Sequence, residues 1–153
     1  MIKATQTWDK EEIKSIICHE KLWALAGYTT DPKDFDPKMD RIWLKIEWPD
    51  YANDKTHLIG MMEFRELTKV AAEVHGGLHP NWRHQYSIMA EMIAEEWVKK
   101  NTEYRTVVIT SPMSCTHVHK FAQNCGFQPT GIIPNGIVYN NKFEDLILLT
   151  KNI

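Results

Sequence analysis

The hydrophobic pattern of this chain changes period several times, and each change marks an element. Residues 2–6 set Ile2, Ala4 and Gln6 against Lys3 and Thr5, the two-residue period of a short strand. Asp9 followed by Glu12 has the spacing of a capping box, and Ile13, Ile16 and Ile17 give the helix it opens a buried stripe. A second short helix is predicted around Glu20–Ala26, ending at Gly27. The segment 28–40, rich in Asp and holding Pro32 and Pro37, reads as loop. At Ile42 the period returns to two: Ile42, Leu44, Ile46 and Trp48 alternate with Trp43, Lys45 and Glu47, and Pro49-Asp50 stops the strand. Two further strands follow at 57–67 and 70–78. The connections are too short for parallel crossovers, so the three strands form an antiparallel meander.

A long helix is predicted over 83–100, with Tyr86, Met89, Ala90, Ile93 and Trp97 turned inward and Glu91, Glu95, Lys99 and Lys100 turned to solvent. On that reading Met89 and Met92 belong to the core, as do Met61 and Met62. The apolar run at 105–110 suits a strand in the middle of a sheet. Pro112 fits the first turn of a helix running to Asn124 and closed by Gly126 in a left-handed cap. Turns at Pro134-Asn135-Gly136 and Asn140-Asn141 separate the last apolar runs, which pair antiparallel. The order β-α-α-β-β-β-α-β-α-β-β describes a single α/β (α+β) domain over 1–153.

Composition narrows the function. The chain has 153 residues, 43% hydrophobic and 25% charged, with a formal net charge of −2. That balance supplies no broad electrostatic footprint for nucleic acid or an anionic membrane. No window approaches the ~18–20 apolar residues of a membrane span, and the first residues carry no apolar run of the signal-peptide kind. Cys18, Cys115 and Cys125 form no C-x-x-C pair and read as reduced, small apolar residues. A soluble protein of the cytoplasm is the expectation. Neither His75 with His79 nor His117 with His119 has the spacing of a zinc signature, so no metal is expected.

Three segments carry chemistry. EVHGGLHPNWR at 73–83 ends a strand on two glycines and leads into the long helix; NCGFQPTG at 124–131 exits the next helix through Gly126-Phe127; Asp145 precedes an apolar closing strand. With the element order, these segments resemble the GNAT N-acetyltransferase family over essentially the whole chain. The resemblance implies a mostly antiparallel sheet splayed between its fourth and fifth strands, with helices on both faces and acetyl-CoA in the gap. It implies a bulge at Gly76-Gly77 and a pyrophosphate seated on free amides opening the long helix. The family writes that loop Q/R-x-x-G-x-G/A. Here Arg83 fits the first position, while Tyr86 and Ile88 stand at the two glycine positions. Arg83, His84, Gln85 and Ser87 are the candidate phosphate contacts.

The family's general-acid Tyr falls on Ala122, and the Asn often found at the start of that helix falls on Cys115. Tyr86, Tyr139 and Cys115 remain as replacement acids. Glu73 and His75 share one strand face by the period of two and are the candidate bases, although a strand carboxylate is ordinarily solvated. An N–H near Leu78 would polarise a thioester carbonyl. The implied activity is N-acetyl transfer to a small-molecule or protein amine. The compact size, two-helix start and altered loop are also similar to GNAT-like proteins of tailed phages, some from head-morphogenesis genes. That second resemblance implies an inactive assembly component, with phage structural or assembly proteins as partners, in the host cytoplasm or the virion. A catalytic chain needs an open groove with Tyr86 turned away from it. An inactive one is expected to fill the groove with Tyr86 or Trp82.

Overall fold

The computed structural model describes residues 1–26 and 30–153. The predicted helix end at Gly27 and the start of the loop after it lie outside the described residues. The chain builds β1 (Lys3–Gln6), α1 (Lys10–Ile17), α2 (Glu20–Leu25), β2 (Ile42–Asp50), β3 (Lys55–Thr68) and β4 (Ala71–Leu78). It continues through α3 (Pro80–Asn101), β5 (Thr106–Pro112), α4 (Thr116–Asn124), β6 (Gln128–Tyr139) and β7 (Lys142–Asn152). A short 3-10 turn at Pro32–Asp34 interrupts the loop before β2. All the strands join one sheet in the order β1-β2-β3-β4-β5-β7-β6. Every neighbouring pair is antiparallel except β4 with β5.

The two faces of the sheet bury different clusters. On one, α3 and the end of α4 cover Leu44, Met62, Phe64, Val74 and Val107, with Ala90, Ala94, Val98 and Phe127 packed over them. On the other, Ile13 and Ile16 of α1 close on Trp43 and Met61. Met61 and Met62 are core, as the sequence predicts.

Several local expectations change. Asp9 caps α1 by accepting from the Glu11 and Glu12 amides at 2.9 and 3.2 Å. Glu12 does not return to Asp9; it takes the Thr7 hydroxyl at 2.7 Å and Lys45 Nζ at 3.3 Å, so the box is half closed. The long helix begins three residues before Arg83, because Pro80 occupies its first turn and His79 caps it. Pro112 ends β5 opposite Leu146 instead of opening α4, which starts after Cys115. Gly126 does close that helix, with φ at +92°. The segment Pro134–Gly136 is no strand-ending turn. β6 runs through it with a register shift between Ile133 and Ile137, held by the Asn135 amide on Asp145 Oδ1 at 2.9 Å.

The phase of α3 is the largest correction. Ala90, Ala94 and Val98 face the sheet, and Glu91 and Glu95 are buried beside them, whereas Met89 and Met92 are exposed. Of the expected inward row Ala90 is fully buried and Tyr86, Ile93 and Trp97 pack against the core, but Met89 turns outward, and the small side chains of Ala90, Ala94 and Val98 take the face closest to the sheet. Turning the helix that way carries Glu91 and Glu95 inside.

Candidate active site

β4 and β5 pair only from Ala71–Thr106 to Glu73–Val108 and then part. A cleft of about 740 Å³ opens where they diverge. It passes through the sheet: α1, α2 and β2 side chains such as Ile17, Leu22 and Trp43 line one mouth, and Arg83, Ser87, Glu91 and Phe121 line the other. Tyr86 is not part of the lining; its ring lies 5.8 Å from that of Trp82, which in turn lies 5.4 Å from Trp48.

The edge of β4 facing this cleft is chemically open. The His79 amide donates to the Ile59 carbonyl at 2.8 Å, and Gly60 stands opposite Leu78. Leu78 and Gly60 therefore form a non-hydrogen-bonded pair, and the N–H and C=O of Leu78 point away from β3 into the gap. By the same alternation the backbone groups of Val74 and Gly76 point toward β5; the Val74 N–H is taken up by the last pairing with Val108, and the Val74 C=O and both groups of Gly76 lie past it. The expected bulge at Gly76-Gly77 is absent, since the ladder with β3 keeps register through both. Gly76 is required for another reason: its φ is +144°, and a Cβ there would lie 2.2 Å from the Met61 carbonyl oxygen. Gly77 leaves room for Leu22 of α2.

On the α1 side of β4 the two candidate bases form one network. Glu73 is 3% exposed, not solvated. Its Oε1 accepts from the Thr110 hydroxyl at 2.5 Å and lies 3.0 Å from His75 Nε2, while Oε2 holds Arg65. Burial alone would raise this carboxyl. The hydrogen bonds from His75 and Thr110, with the charges of His75 and Arg65, outweigh it and hold the group at about 2. A carboxylate that acidic is a poor proton acceptor. Glu73 is thus held by its partners, and the His75 side chain beside it is 40% exposed and lines the cleft. Beside it, Glu63 stands opposite His75 on β3 and is neutralised by Arg41.

The remaining predicted residues divide. Leu78, Arg83, Ser87 and Cys115 line the cleft, whereas His84 and Gln85 are exposed outside it. The amides of Asn81, Trp82 and Arg83 are already bonded to His79, so the helix start offers fewer free donors than expected. The Ser87 hydroxyl donates back to the Arg83 carbonyl, leaving only its lone pairs. Of the replacement acids, Tyr139 reaches the cleft and Tyr86 does not. The hydrogen bond between Tyr139 and Cys115 raises the phenol further, with burial adding to it, so it stays protonated. Ala122 is fully buried core. Among the described residues no cluster of three or more His, Cys, Asp or Glu could hold a metal ion. No helix among them is long and apolar enough to cross a membrane.

Sequence reasoning missed Arg65, Thr110 and Glu91. Arg65 was out of reach: a regular hairpin centred on Lys69-Val70 would set Glu66 against Glu73, and only the register shift between Glu66 and Thr68 brings Arg65 there. The Ala90-Ala94-Val98 row was the signal for Glu91. Thr110 had none, since its meeting with Glu73 depends on how β5 aligns with β4.

Comparison with known proteins places this geometry. A family model described as "Protein of unknown function (DUF2824)" matches residues 26–150. No curated protein matches the sequence. A putative phosphinothricin N-acetyltransferase superimposes with a TM-score of 0.74 at 14% identity, over 100% of this chain and 99% of that one. A probable GNAT-family acetyltransferase from Chromobacterium violaceum gives 0.75 at 13% identity, over 99% and 82%. A mutant spermidine N-acetyltransferase from Vibrio cholerae gives 0.61 at 14% identity, over 72% of this chain and 65% of that one. The fold is therefore that of the GNAT acetyltransferases, with the splayed fourth and fifth strands the sequence suggested.

Proposed function

Because the chain belongs to the family described only as a protein of unknown function, DUF2824, its chemistry has to be read from the cleft, and we propose that it is an acetyl-CoA-dependent N-acetyltransferase. The observation that carries this reading is the open edge of β4. The Val74 carbonyl and the backbone donors and acceptors of Gly76 and Leu78 face a gap deep enough for an extended, amide-containing arm, and His75 stands at its mouth. The fit extends to Arg83, whose cation lines the cleft on α3 and suits a phosphate. The absence of Tyr86 and Trp82 from the lining supports a catalytic chain over a filled, inactive one.

Acetyl-CoA, when bound, supplies a thioester carbonyl for attack by a primary amine. The Leu78 N–H points into the gap and is the backbone donor suited to charge developing on that oxygen. His75 presents Nε2 to Glu73, which fixes that nitrogen as the protonated one and leaves Nδ1 with a lone pair. Nδ1 then takes the proton that the attacking amine sheds. Tyr139, kept protonated, returns a proton to the sulfur as it departs, the role Ala122 cannot perform. Arg65 and Thr110 hold Glu73, and Glu73 holds the ring.

Release of free thiol from acetyl-CoA, followed across small primary amines and lysine-containing peptides, tests the proposal. An acetyl transfer that falls ~100-fold or more in His75→Gln with unchanged acetyl-CoA affinity is the expected result. Equal turnover by wild type and His75→Gln would remove His75 from the mechanism.

A further inference from the structure

Glu91 is the least explained polar group in the molecule. It is 3% exposed, it lines the cleft, and its Oε1 has no hydrogen-bond partner. A buried polar atom in that state is costly to keep unless something satisfies it. Glu91 follows Arg83 and Ser87 at four-residue intervals, so the three form one stripe along the cleft wall of α3. Arg83 and Glu91 are separated by about 12 Å of helical rise. The walls around them are mostly apolar, with Val74, Ile109 and Phe121 among the lining.

Charged and titratable neighbours reach Glu91 from its own helix and from two other elements. Glu95 lies one turn further on α3, Lys151 comes from β7, and Cys125 from the end of α4. Lys151 bonds Glu95 at 2.5 Å and is thereby committed to it. Burial, then the charge of Glu95, push Glu91 up to about 8 against the weaker pull of Lys151. At neutral pH its side chain is a hydrogen-bond donor.

We infer that the α3 wall is a recognition strip for an elongated ligand, with Arg83 meeting an anionic end and Glu91 donating a hydrogen bond to a neutral carbonyl deeper in the cleft. The inference rests on the transferase reading to the extent that acetyl-CoA, a phosphate ester with amide carbonyls along its arm, is the ligand of this class. Ionisation of Glu91 turns the donor into a repelled acceptor, so binding weakens as pH rises.

The test is calorimetric titration of acetyl-CoA into wild type, Glu91→Gln and Glu91→Leu at pH 6.5, 8 and 9, with thermal unfolding confirming that each variant is folded. Wild-type affinity is expected to fall about tenfold from pH 6.5 to 9, following the neutral fraction of a group at about 8. Glu91→Gln keeps a donor at every pH and holds its affinity. Glu91→Leu binds about tenfold more weakly throughout. Wild-type affinity in Glu91→Leu, or a pH fall in Glu91→Gln equal to that of wild type, overturns the inference while leaving the transferase reading intact. No binding by wild type at any of these pH values overturns both.

Discussion

Glu73 and Glu91 are buried to the same 3%, on opposite sides of the sheet, beside the same cleft. One is held at about 2 and the other near 8. Burial raises both, so depth does not separate them. Glu73 sits among Arg65, His75 and Thr110, which supply donors to both of its oxygens. Glu91 faces a second carboxyl, and Lys151, the cation nearest to both, is committed to Glu95. Pairing therefore decides the protonation state. The paired side makes a fixed negative charge that orients a histidine; the unpaired side makes a neutral donor. The cleft thus has a fixed carboxylate on one side of the sheet and a neutral carboxyl on the other at the same pH.

Variants that change the pairing test that contrast, beginning with the largest effect. The folded pKa of Glu91 lies above that of a free carboxyl, so between about 4.5 and 8 the folded chain holds a proton that the unfolded chain has released. This group therefore makes stability fall as pH rises through that window. Glu91→Gln should remove that fall and add on the order of 4 kcal/mol at pH 8.

Lys151→Met comes next, removing the counter-charge of the α3 side and leaving Glu95 buried and ionised. It should destabilise the fold by about 3 kcal/mol at pH 8 in urea unfolding, and by less at pH 5, because burial already favours the neutral form of Glu95 and the loss of Lys151 favours it further. Equal losses at both pH values would mean that Glu95 is not charged in the fold. Glu73 has the opposite sign to Glu91: its stabilisation is present above about 4.5 and lost as pH drops toward 2. Arg65→Met takes away one of its partners while Thr110 and His75 remain. Since Arg65 is half exposed, the cost is smaller, about 1 kcal/mol, and concentrated above pH 5. Parallel pH profiles for Glu91→Gln and Arg65→Met would erase the distinction between the two carboxyls.

The smallest effect checks the phase of α3 itself. Met89 is 47% exposed, so Met89→Lys should change stability by less than about 0.5 kcal/mol. A loss of several kcal/mol would restore the helix phase that the Tyr86-Met89-Ile93-Trp97 stripe suggests.

What was legible in the sequence follows the same division. The Glu73 side was half readable, because Glu73 and His75 share a face by the strand period, whereas Arg65 meets Glu73 only through a register shift between Glu66 and Thr68. The parting of β4 and β5 was implied by the family resemblance that segments 73–83 and 124–131 carry with the element order. The Glu91 side was hidden. The apolar row of α3 was read with Met89 in it and without Ala94 and Val98, and the charge pattern set Glu91 and Glu95 in water. Only the packing distance between helix and sheet decides for Ala90, Ala94 and Val98. The role of Gly76 was misread for a related reason: the glycine was evident, but a positive φ and a close carbonyl demand it as firmly as a bulge does.

Thermal unfolding with and without acetyl-CoA tests the central claim most directly. Ligand at about 100 times its Kd should add ~2.7 kcal/mol to the folded state. For a domain of this size that is a rise in Tm on the order of 5 °C. The account predicts such a rise in wild type, reduced in Arg83→Ala at the same ligand concentration. No rise at millimolar acetyl-CoA would contradict it, and the GNAT fold would then serve some purpose other than acetyl transfer.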